Sequence, residues 1–411
     1  MYPLAAVAAL LADHETIGRR MDFDTEIMVR LFWRGTPVID IPVAVTYPAD
    51  NTSNFDLWRD NWRISLMHTR LVFTMLRRLP WILKHRLATG KGHGGGRGSG
   101  QAGHWSWIAE RGTSWGLHFC LYSYRLLGRR GFQVILMPII LYFYLTGGAQ
   151  RRASRQFLSR SFAAKGWPGQ PGFFDGYRHF HAFALRGLDT FIGWAKAMPA
   201  EAIQLGDVAA LPAAIAEQRG ALLIVAHLGN VDVARAMLDP ETRARLLILV
   251  HTRHAENYNK VLREFEPEAG VNTFQVSELG PETAITLRER IEQGYWVVIA
   301  GDRTPVMSLG RTVEAQFLGQ AAPFSAGPYI LASLLECPVY LLFCLREGDH
   351  YRLSFEKFAE RIHLPRAERR QRLQDYAGKY AVRLQEYALR DPYQWYNFFD
   401  FWAPANGQLK E

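Results

Sequence analysis

The chain is poor in cysteine and begins without a recognisable export signal. Its 411 residues include three cysteines, Cys120, Cys337 and Cys344. Three cysteines without CxxC spacing cannot form a disulfide framework, so reduced, buried thiols are expected. The first residues lack the basic, apolar and small-residue order of a cleavable signal peptide. The expected reduced thiols favour a protein that faces the cytosol.

The chain also lacks an uninterrupted apolar run long enough to cross a bilayer. Its most apolar segment, residues 131–148, has about 15 such residues where a span needs roughly 20, and Pro138 interrupts it. Pairs of arginines flank this segment at 129–130 and 151–152. We expect a membrane-associated hydrophobic helix here, either spanning the bilayer or lying in its interface.

Acidic residues are outnumbered by basic ones, 39 to 48, which gives a net charge of +9. A basic chain suits an acidic partner such as nucleic acid, anionic lipid or an acidic carrier protein. Because the basic residues cluster beside apolar sequence, a membrane surface is favoured and a nucleic-acid partner is not predicted. A non-catalytic basic module that binds nucleic acid remains an alternative function.

A glycine-rich stretch at residues 88–103 is predicted to be a flexible linker that separates two unequal units. In residues 104–405, strands and helices alternate, which predicts an α/β sandwich. Predicted strands lie at 221–227, 246–251, 295–300, 339–344 and 351–355, and predicted helices at 208–218, 281–293, 324–335 and 367–390.

His227 and Asp232 form the most informative pair in the sequence. Five residues on a continuous helix turn through about 500°, so the two side chains can cooperate only across a turn. Residues 228–230, which include Gly229, supply that turn between an apolar strand and a helix from Val231. His227 is therefore predicted at the carboxyl end of a strand, where open α/β sheets bind ligands. The alternative is a structural histidine.

Two arginines follow other predicted strands. Arg253 comes after LLILV and Arg303 after YWVVIAG, so both are expected at the same sheet edge, where a guanidinium can hold a phosphate or carboxylate. Asp302 is expected to orient Arg303 or a nearby loop and not to take part in chemistry. His251 and His254 have the spacing of a metal pair but no third ligand, so neither a metal site nor a cofactor is predicted.

The pattern H-x4-D after an apolar strand resembles the first signature block of the glycerolipid and lipid A acyltransferases, in the lysophospholipid acyltransferase superfamily. Residues 104–402 are similar to the lipid A biosynthesis (lauroyl/myristoyl) acyltransferase family. This chain has Asp302-Arg303 where that family usually has Asp-Gln. The further blocks that carry the resemblance are Arg253 and Asn257, then Gly301-Asp302-Arg303, then Phe317-Leu318-Gly319, then Cys337-Pro338-Val339.

The resemblance implies a glycerolipid acyltransferase-like α/β sandwich that carries an acyl chain from a thioester to a lipid or glycolipid hydroxyl. The donor would be acyl carrier protein or acyl-CoA, at the cytoplasmic face of a bacterial inner membrane. His227 would take the hydroxyl proton while Asp232 fixes its tautomer. A hydrolase with the same pair is the alternative, although no G-x-S-x-G motif accompanies it. The remaining substrate-binding residues would be Gly229 and Asn230 for the oxyanion, Arg253, Asn257, Asp302 and Arg303 near the acceptor, and Phe317 and Gly319 at the acyl pocket.

Residues 1–87 resemble the carboxyl-terminal portion of a family 2 glycosyltransferase without its nucleotide-binding part, so we expect no sugar transfer from them alone. Asp22, Asp24 and Glu26 are expected to cap a helix and not to bind a metal. The pairing of such a portion with an acyltransferase resembles proteins of bacterial aryl-polyene pathways. The acyl group would then be an aryl polyene and not a fatty acid.

Overall fold

The computed structural model describes residues 4–34 and 59–77 in part, and residues 114–250, 272–275, 281–303 and 312–403. Contacts divide the chain into a unit of residues 1–101 and a unit of residues 102–410. Arg253, Asn257 and the predicted linker lie outside the described residues. The predicted functions of the linker and of the first unit stay predictions.

The first unit contains helices α1 (Leu4–Asp13) and α2 (Phe23–Trp33). Asp24 and Glu26 lie in the first turn of α2, as expected of acids near a helix start. Glu26 is also fully buried, and its carboxylate lies against the guanidinium groups of Arg30 and Arg70. A buried carboxylate requires such donors.

Three long helices open the second unit: α3 (Ser114–Thr146), α4 (Gly148–Lys165) and α5 (Phe173–Trp194). Helix α3 is broken at Gly128, whose φ of 64° is not helical. The apolar segment predicted at 131–148 is helical except at Gly147, which separates α3 from α4. None of the described helices is, on its own, long and apolar enough to cross a membrane. Only one bent pair of described helices has the length and apolar composition of a membrane span when its members are counted together. This pair is Gly131–Thr146 and Gly148–Lys165, with a bend of 93° between them.

A seven-stranded sheet forms the centre of the second unit, in the order β1-β9-β8-β2-β5-β3-β4. All neighbours are parallel except β8 and β9, which pair antiparallel. The central strands are short apolar runs such as LLIV and WVVIA, as expected for parallel strands covered on both faces. The strands are β1 (Ile203–Leu205), β2 (Leu222–Val225), β3 (Leu246–Val250), β4 (Asn272–Gln275), β5 (Trp296–Ala300), β8 (Val339–Glu347) and β9 (His350–Ala359).

Helices cover both faces of this sheet. One face carries the larger core, which includes Leu287, Leu335 and Leu384, and the other carries a smaller cluster around Ala214 and Tyr340. This is the mixed α/β architecture that the sequence predicted. The helices are α6 (Leu211–Ala216), α7 (Val231–Ala236), α8 (Pro240–Ala244), α9 (Pro281–Glu292), α10 (Gly327–Leu335) and α11 (Arg369–Arg390).

A separate hairpin of β6 (Thr312–Phe317) and β7 (Gln320–Ser325) forms where no strand was predicted, and its end overlaps the start of the helix predicted at 324–335. Because β7 extends to Ser325, α10 begins only at Gly327, with Pro328 in its first turn. Cys337 and Cys344 are buried free thiols, as predicted, and burial raises the pKa of Cys337 to about 11.

Candidate active site

The candidate site lies where β2 and β5 end. These strands are parallel neighbours, and their register pairs Val225 with Ala300. His227 and Asp302 each follow two residues later, so both emerge at the same level of the same sheet edge. The His227 ring Nδ1 lies 2.9 Å from Asp302 Oδ1, and the His227 backbone N–H donates to Oδ2 at 2.8 Å. Sheet register alone therefore builds a histidine–carboxylate pair.

Asp302 is 2% exposed and holds three hydrogen bonds. Besides the two from His227, the Trp395 indole Nε1–H donates to Oδ2 at 2.9 Å. Burial alone would raise the pKa of Asp302. The charge and hydrogen bond of His227, the charge of Arg303 and the hydrogen bond from the Trp395 indole outweigh burial and hold this pKa below its ordinary value. Asp302 is thus an anion that accepts a hydrogen bond from the protonated Nδ1 of His227, which leaves Nε2 with its lone pair.

The structure corrects the predicted roles of the two acids. Asp232, expected to hold His227, instead accepts from Arg186 of α5 at 2.9 Å. Asp302, expected only to orient Arg303, lies against the His227 ring. The physical reason is the direction in which each residue leaves its secondary-structure element. Asp232 lies in the first turn of α7, whereas Asp302 follows the strand beside His227.

The predicted oxyanion donors need a second correction. The Gly229 N–H donates to Gln394 O at 2.9 Å, and the Asn230 N–H donates to Cys344 O at 2.7 Å. The Asn230 side chain caps α7 through Val233 N and also accepts from the Thr190 hydroxyl. Both backbone N–H groups already donate to carbonyl oxygens within the protein, so neither is free to act as the predicted oxyanion donor.

Gly229 is required by backbone crowding. Its φ is +66°, and a Cβ there would stand 2.1 Å from Cys344 O. We expect Gly229→Ala to destabilise the chain by at least about 2 kcal/mol, from the left-handed conformation and the clash together. The measurement is the urea unfolding midpoint. Gly319→Ala is the matched control, because Gly319 has φ +79° in open space. Equal losses in both variants would contradict the crowding.

Two arginines flank His227. Arg186 donates from Nε to Gly229 O at 3.1 Å, and Arg303 donates to Tyr396 O at 3.1 Å while lying over the Phe399 ring. Desolvation is the largest cause that lowers the pKa of His227, and the Arg303 charge is the next. The histidine is therefore neutral, and able to accept a proton, at neutral pH.

The pH dependence of activity tests this electrostatic arrangement. A general base works when deprotonated, so the acidic limb of kcat/KM follows the His227 pKa. Arg303→Gln removes a charge that lowers this pKa, so we expect the limb to move to higher pH. Arg303→Lys keeps the charge and should keep the limb. The measurement is the pH–rate profile of all three chains, and an unmoved limb in Arg303→Gln would contradict the assignment.

An aromatic core adjoins the pair. Phe317 is fully buried, with its ring 5.2 Å from that of Trp395 and stacked at 5.8 Å on Trp402. Gly319 forms the turn of the β6–β7 hairpin. Phe317 packs against the ring of Trp395, which holds Asp302, whereas Gly319 has open space beside it. A role of either residue at the acyl chain stays a prediction.

Reasoning from the sequence missed two residues of this arrangement. Trp395 lies in the aromatic tail DPYQWYNFFDFW, residues 391–402, and its indole N–H donates to the Asp302 carboxylate. Arg186 sits in α5, which was not predicted, and ties the turn after His227 to that helix. The density of aromatic residues after Pro392 is a signal for packing and not for a hydrogen bond to Asp302, and no local signal marks Arg186.

The chain is similar to one family of known proteins over about half of its length. The model of the family described as bacterial lipid A biosynthesis acyltransferase matches residues 176–398, slightly more than half of the chain. The matched range contains His227, Asp302 and Trp395. It does not reach residues 1–87, so the glycosyltransferase resemblance stays a prediction. No curated protein matches the chain.

Proposed function

The chain belongs to the bacterial lipid A biosynthesis acyltransferase family, and from this premise we propose that His227 is the general base of an O-acyl transfer to a lipid hydroxyl. The observation that carries the proposal is the hydrogen bond from His227 Nδ1 to the buried Asp302. Asp302 fixes the tautomer that leaves Nε2 free, and its negative charge stabilises the imidazolium formed during the reaction.

The proposed reaction balances without a covalent enzyme intermediate. His227 Nε2 takes the proton from the acceptor hydroxyl as its oxygen bonds to the thioester carbonyl carbon. The tetrahedral intermediate collapses, the C–S bond breaks, and the imidazolium returns the proton to the leaving sulfur. The products are a lipid ester and a free thiol. We propose that Arg303, which follows Asp302 at the end of β5, supplies the positive charge that stabilises the developing negative charge.

The substrates follow from charge and from the family. We propose acyl carrier protein or acyl-CoA as donor, because both are acidic and the chain carries +9. The acceptor is a lipid or glycolipid at the cytoplasmic face of a bacterial inner membrane. Arg303, in place of the Gln usual in the family, favours an acceptor with a phosphate or carboxylate near its hydroxyl. The pairing with a glycosyltransferase-like portion favours an aryl-polyene acyl group.

The test is acyl transfer from labelled acyl carrier protein, and separately from labelled acyl-CoA, into extracted bacterial lipids. We expect the label in a lipid ester that resists neutral hydroxylamine, which cleaves thioesters, and that mild alkali hydrolyses. Release of the label as free acid, with none in lipid, would identify a hydrolase and overturn the proposal. Running both donors decides between the two thioesters, and mass spectrometry of the product identifies the acceptor.

A further inference from the structure

The second half of α3 is apolar around its whole circumference but is covered on one side only. From Gly131 to Leu145 the sequence GFQVILMPIILYFYL carries no charge. Phe132, Ile140 and Tyr144 are buried against α5. Other side chains of the same segment face outward, since Val134 is 62% exposed and Met137 45%. A helix that is apolar on all sides requires a second apolar neighbour.

The uncovered surface continues beyond α3. Phe173 and Phe174, at the start of α5, are 49% and 81% exposed, and the Phe173 ring meets the Tyr144 ring edge-on at 5.0 Å. The apolar face is defined by six exposed residues of these two helices. They are Val134, Ile135, Met137, Ile139, Phe173 and Phe174. A contiguous apolar surface of this kind marks an interaction site.

The charge around the apolar face indicates what covers it. From Ser114 to Gly172 the sequence has eight Arg and Lys residues and no Asp or Glu. Arg151 lies over the Tyr144 ring at 5.6 Å, beside the apolar face. Asp175, which follows Phe174 in the sequence, already accepts hydrogen bonds from the Gly172 N–H and the Tyr393 hydroxyl. Aromatic and aliphatic side chains beside a cation, with this carboxylate bonded within the protein, fit a bilayer that contains anionic lipid.

The packing of α3 fixes the direction from which lipid can approach. Contacts with α5 run the length of the segment, from Phe132 beside Leu188 to Tyr144 beside Phe180. Between them the Tyr177 hydroxyl donates to Met137 O at 3.1 Å. The inner side of α3 is thus occupied over about three turns. Lipid can therefore contact only the outer side of α3, as a strip that runs along the helix, and cannot surround the helix.

Helix α4 belongs to the protein core. Its buried side includes Phe157 and Leu158, and the Phe157 ring lies 4.7 Å from that of Trp395, next to the candidate site. At the other end of the segment Arg129 forms a two-pronged ion pair with Asp189 of α5, at 2.7 Å from Nη2. Both ends of the segment are therefore fastened to the catalytic unit.

We propose that the apolar face docks the acyltransferase unit flat on one leaflet of an anionic bilayer, with α3 parallel to the membrane plane and Phe173 and Phe174 inserted beside it. This deepens the proposed function, on whose membrane association it rests, by assigning the attachment surface and its orientation. Helix α5 leads from Phe173 at this surface to Arg186, which contacts Gly229 beside His227. At 1.5 Å per residue, the candidate site lies about 20 Å along α5 from the inserted end.

The test measures the depth of three positions on the outer side of α3. Single cysteines at Val134, Leu141 and Leu145, in a full-length Cys120→Ser chain, are labelled with an environment-sensitive fluorophore. Vesicles of phosphatidylethanolamine and phosphatidylglycerol carry bromine at shallow or deep acyl positions. We expect all three labels to be quenched equally, and more by shallow than by deep bromine. A label at Val382 on α11, which is 52% exposed, is the control and should not be quenched.

A graded depth would overturn the proposal, because a helix that crosses the bilayer separates positions 134 and 145 by about 16 Å along its axis. Absence of quenching at all three positions would show that protein covers the face. The double variant Ile135→Glu with Phe174→Glu should abolish quenching of the Leu141 label, whereas Ile285→Glu, at a 60% exposed position of α9, should not. Quenching is measured without substrate. Loss of quenching therefore contradicts the membrane surface proposed here, whereas loss of acyl transfer contradicts the proposed function, and the two results are separate.

Discussion

Replacement of His227 by alanine is expected to reduce acyl transfer at least about 1000-fold, because the acceptor hydroxyl loses the group that takes its proton. The ring is 38% exposed at a sheet edge, so its removal leaves the core intact. The measurement is the initial rate of label transfer into lipid ester by purified chains at equal concentration. Thermal unfolding of the same samples establishes that the variant is folded.

The matched control for this prediction is His363→Ala. His363 is exposed and follows the end of β9, away from the β2 and β5 ends. Its loss should leave the rate within about twofold of wild type, as for most surface substitutions. Transfer that survives in a folded His227→Ala chain would mean that His227 is structural, and the proposed mechanism would fail.

Asp302→Asn is expected to lower kcat by about 1000- to 10,000-fold with little change in KM, because an amide in this place reverses the His227 tautomer. Three donors point at the Asp302 carboxylate: His227 Nδ1, His227 N–H and Trp395 Nε1. An amide oxygen satisfies the donors on one side only. The amide NH2 on the other side turns Nδ1 into an acceptor and moves the proton to Nε2, where the base must be free.

Trp395→Phe is a milder substitution at the same hydrogen-bond network and serves for comparison with Asp302→Asn. It removes the indole donor to Asp302 and leaves the two bonds from His227. A smaller loss, about tenfold, is expected, in kcat and not in KM, since the indole touches the carboxylate and not the reacting atoms. Equal losses in Trp395→Phe and Asp302→Asn, in folded chains, would show that the tail acts through packing.

The sequence allows the sheet and one half of the candidate pair to be predicted. LLIV and WVVIA are apolar runs of strand length, and a glycine two residues after His227 indicates the turn that exposes it. The partner of His227 could not be found in this way. Asp232 is near in sequence, whereas Asp302 becomes adjacent only through the pairing of Val225 with Ala300, a long-range contact that no local pattern encodes.

Other elements were missed because their local signals conflict with their structure. Pro323 in β7 argues against a strand, yet the two-stranded hairpin tolerates it opposite Glu314. Helix α4 begins with the sequence GAQRRASRQF, and its arginines obscure the apolar periodicity of the side that is buried at Phe157. In each case tertiary packing outweighs propensity. The same holds for Trp395, whose hydrogen bond depends on where the tail crosses the sheet edge.

The most direct test of the account is the ratio of initial acyl-transfer rates for Asp232→Asn and Asp302→Asn, measured side by side with a thioester donor and extracted lipid. Asp232 is 32% exposed and pairs with Arg186, so its loss should cost less than about tenfold, as expected for an exposed ion pair. The account predicts that the Asp302→Asn chain is at least about 100-fold slower than the Asp232→Asn chain. Equal rates, or a slower Asp232→Asn chain, would contradict the assignment of Asp302 as the residue that holds His227.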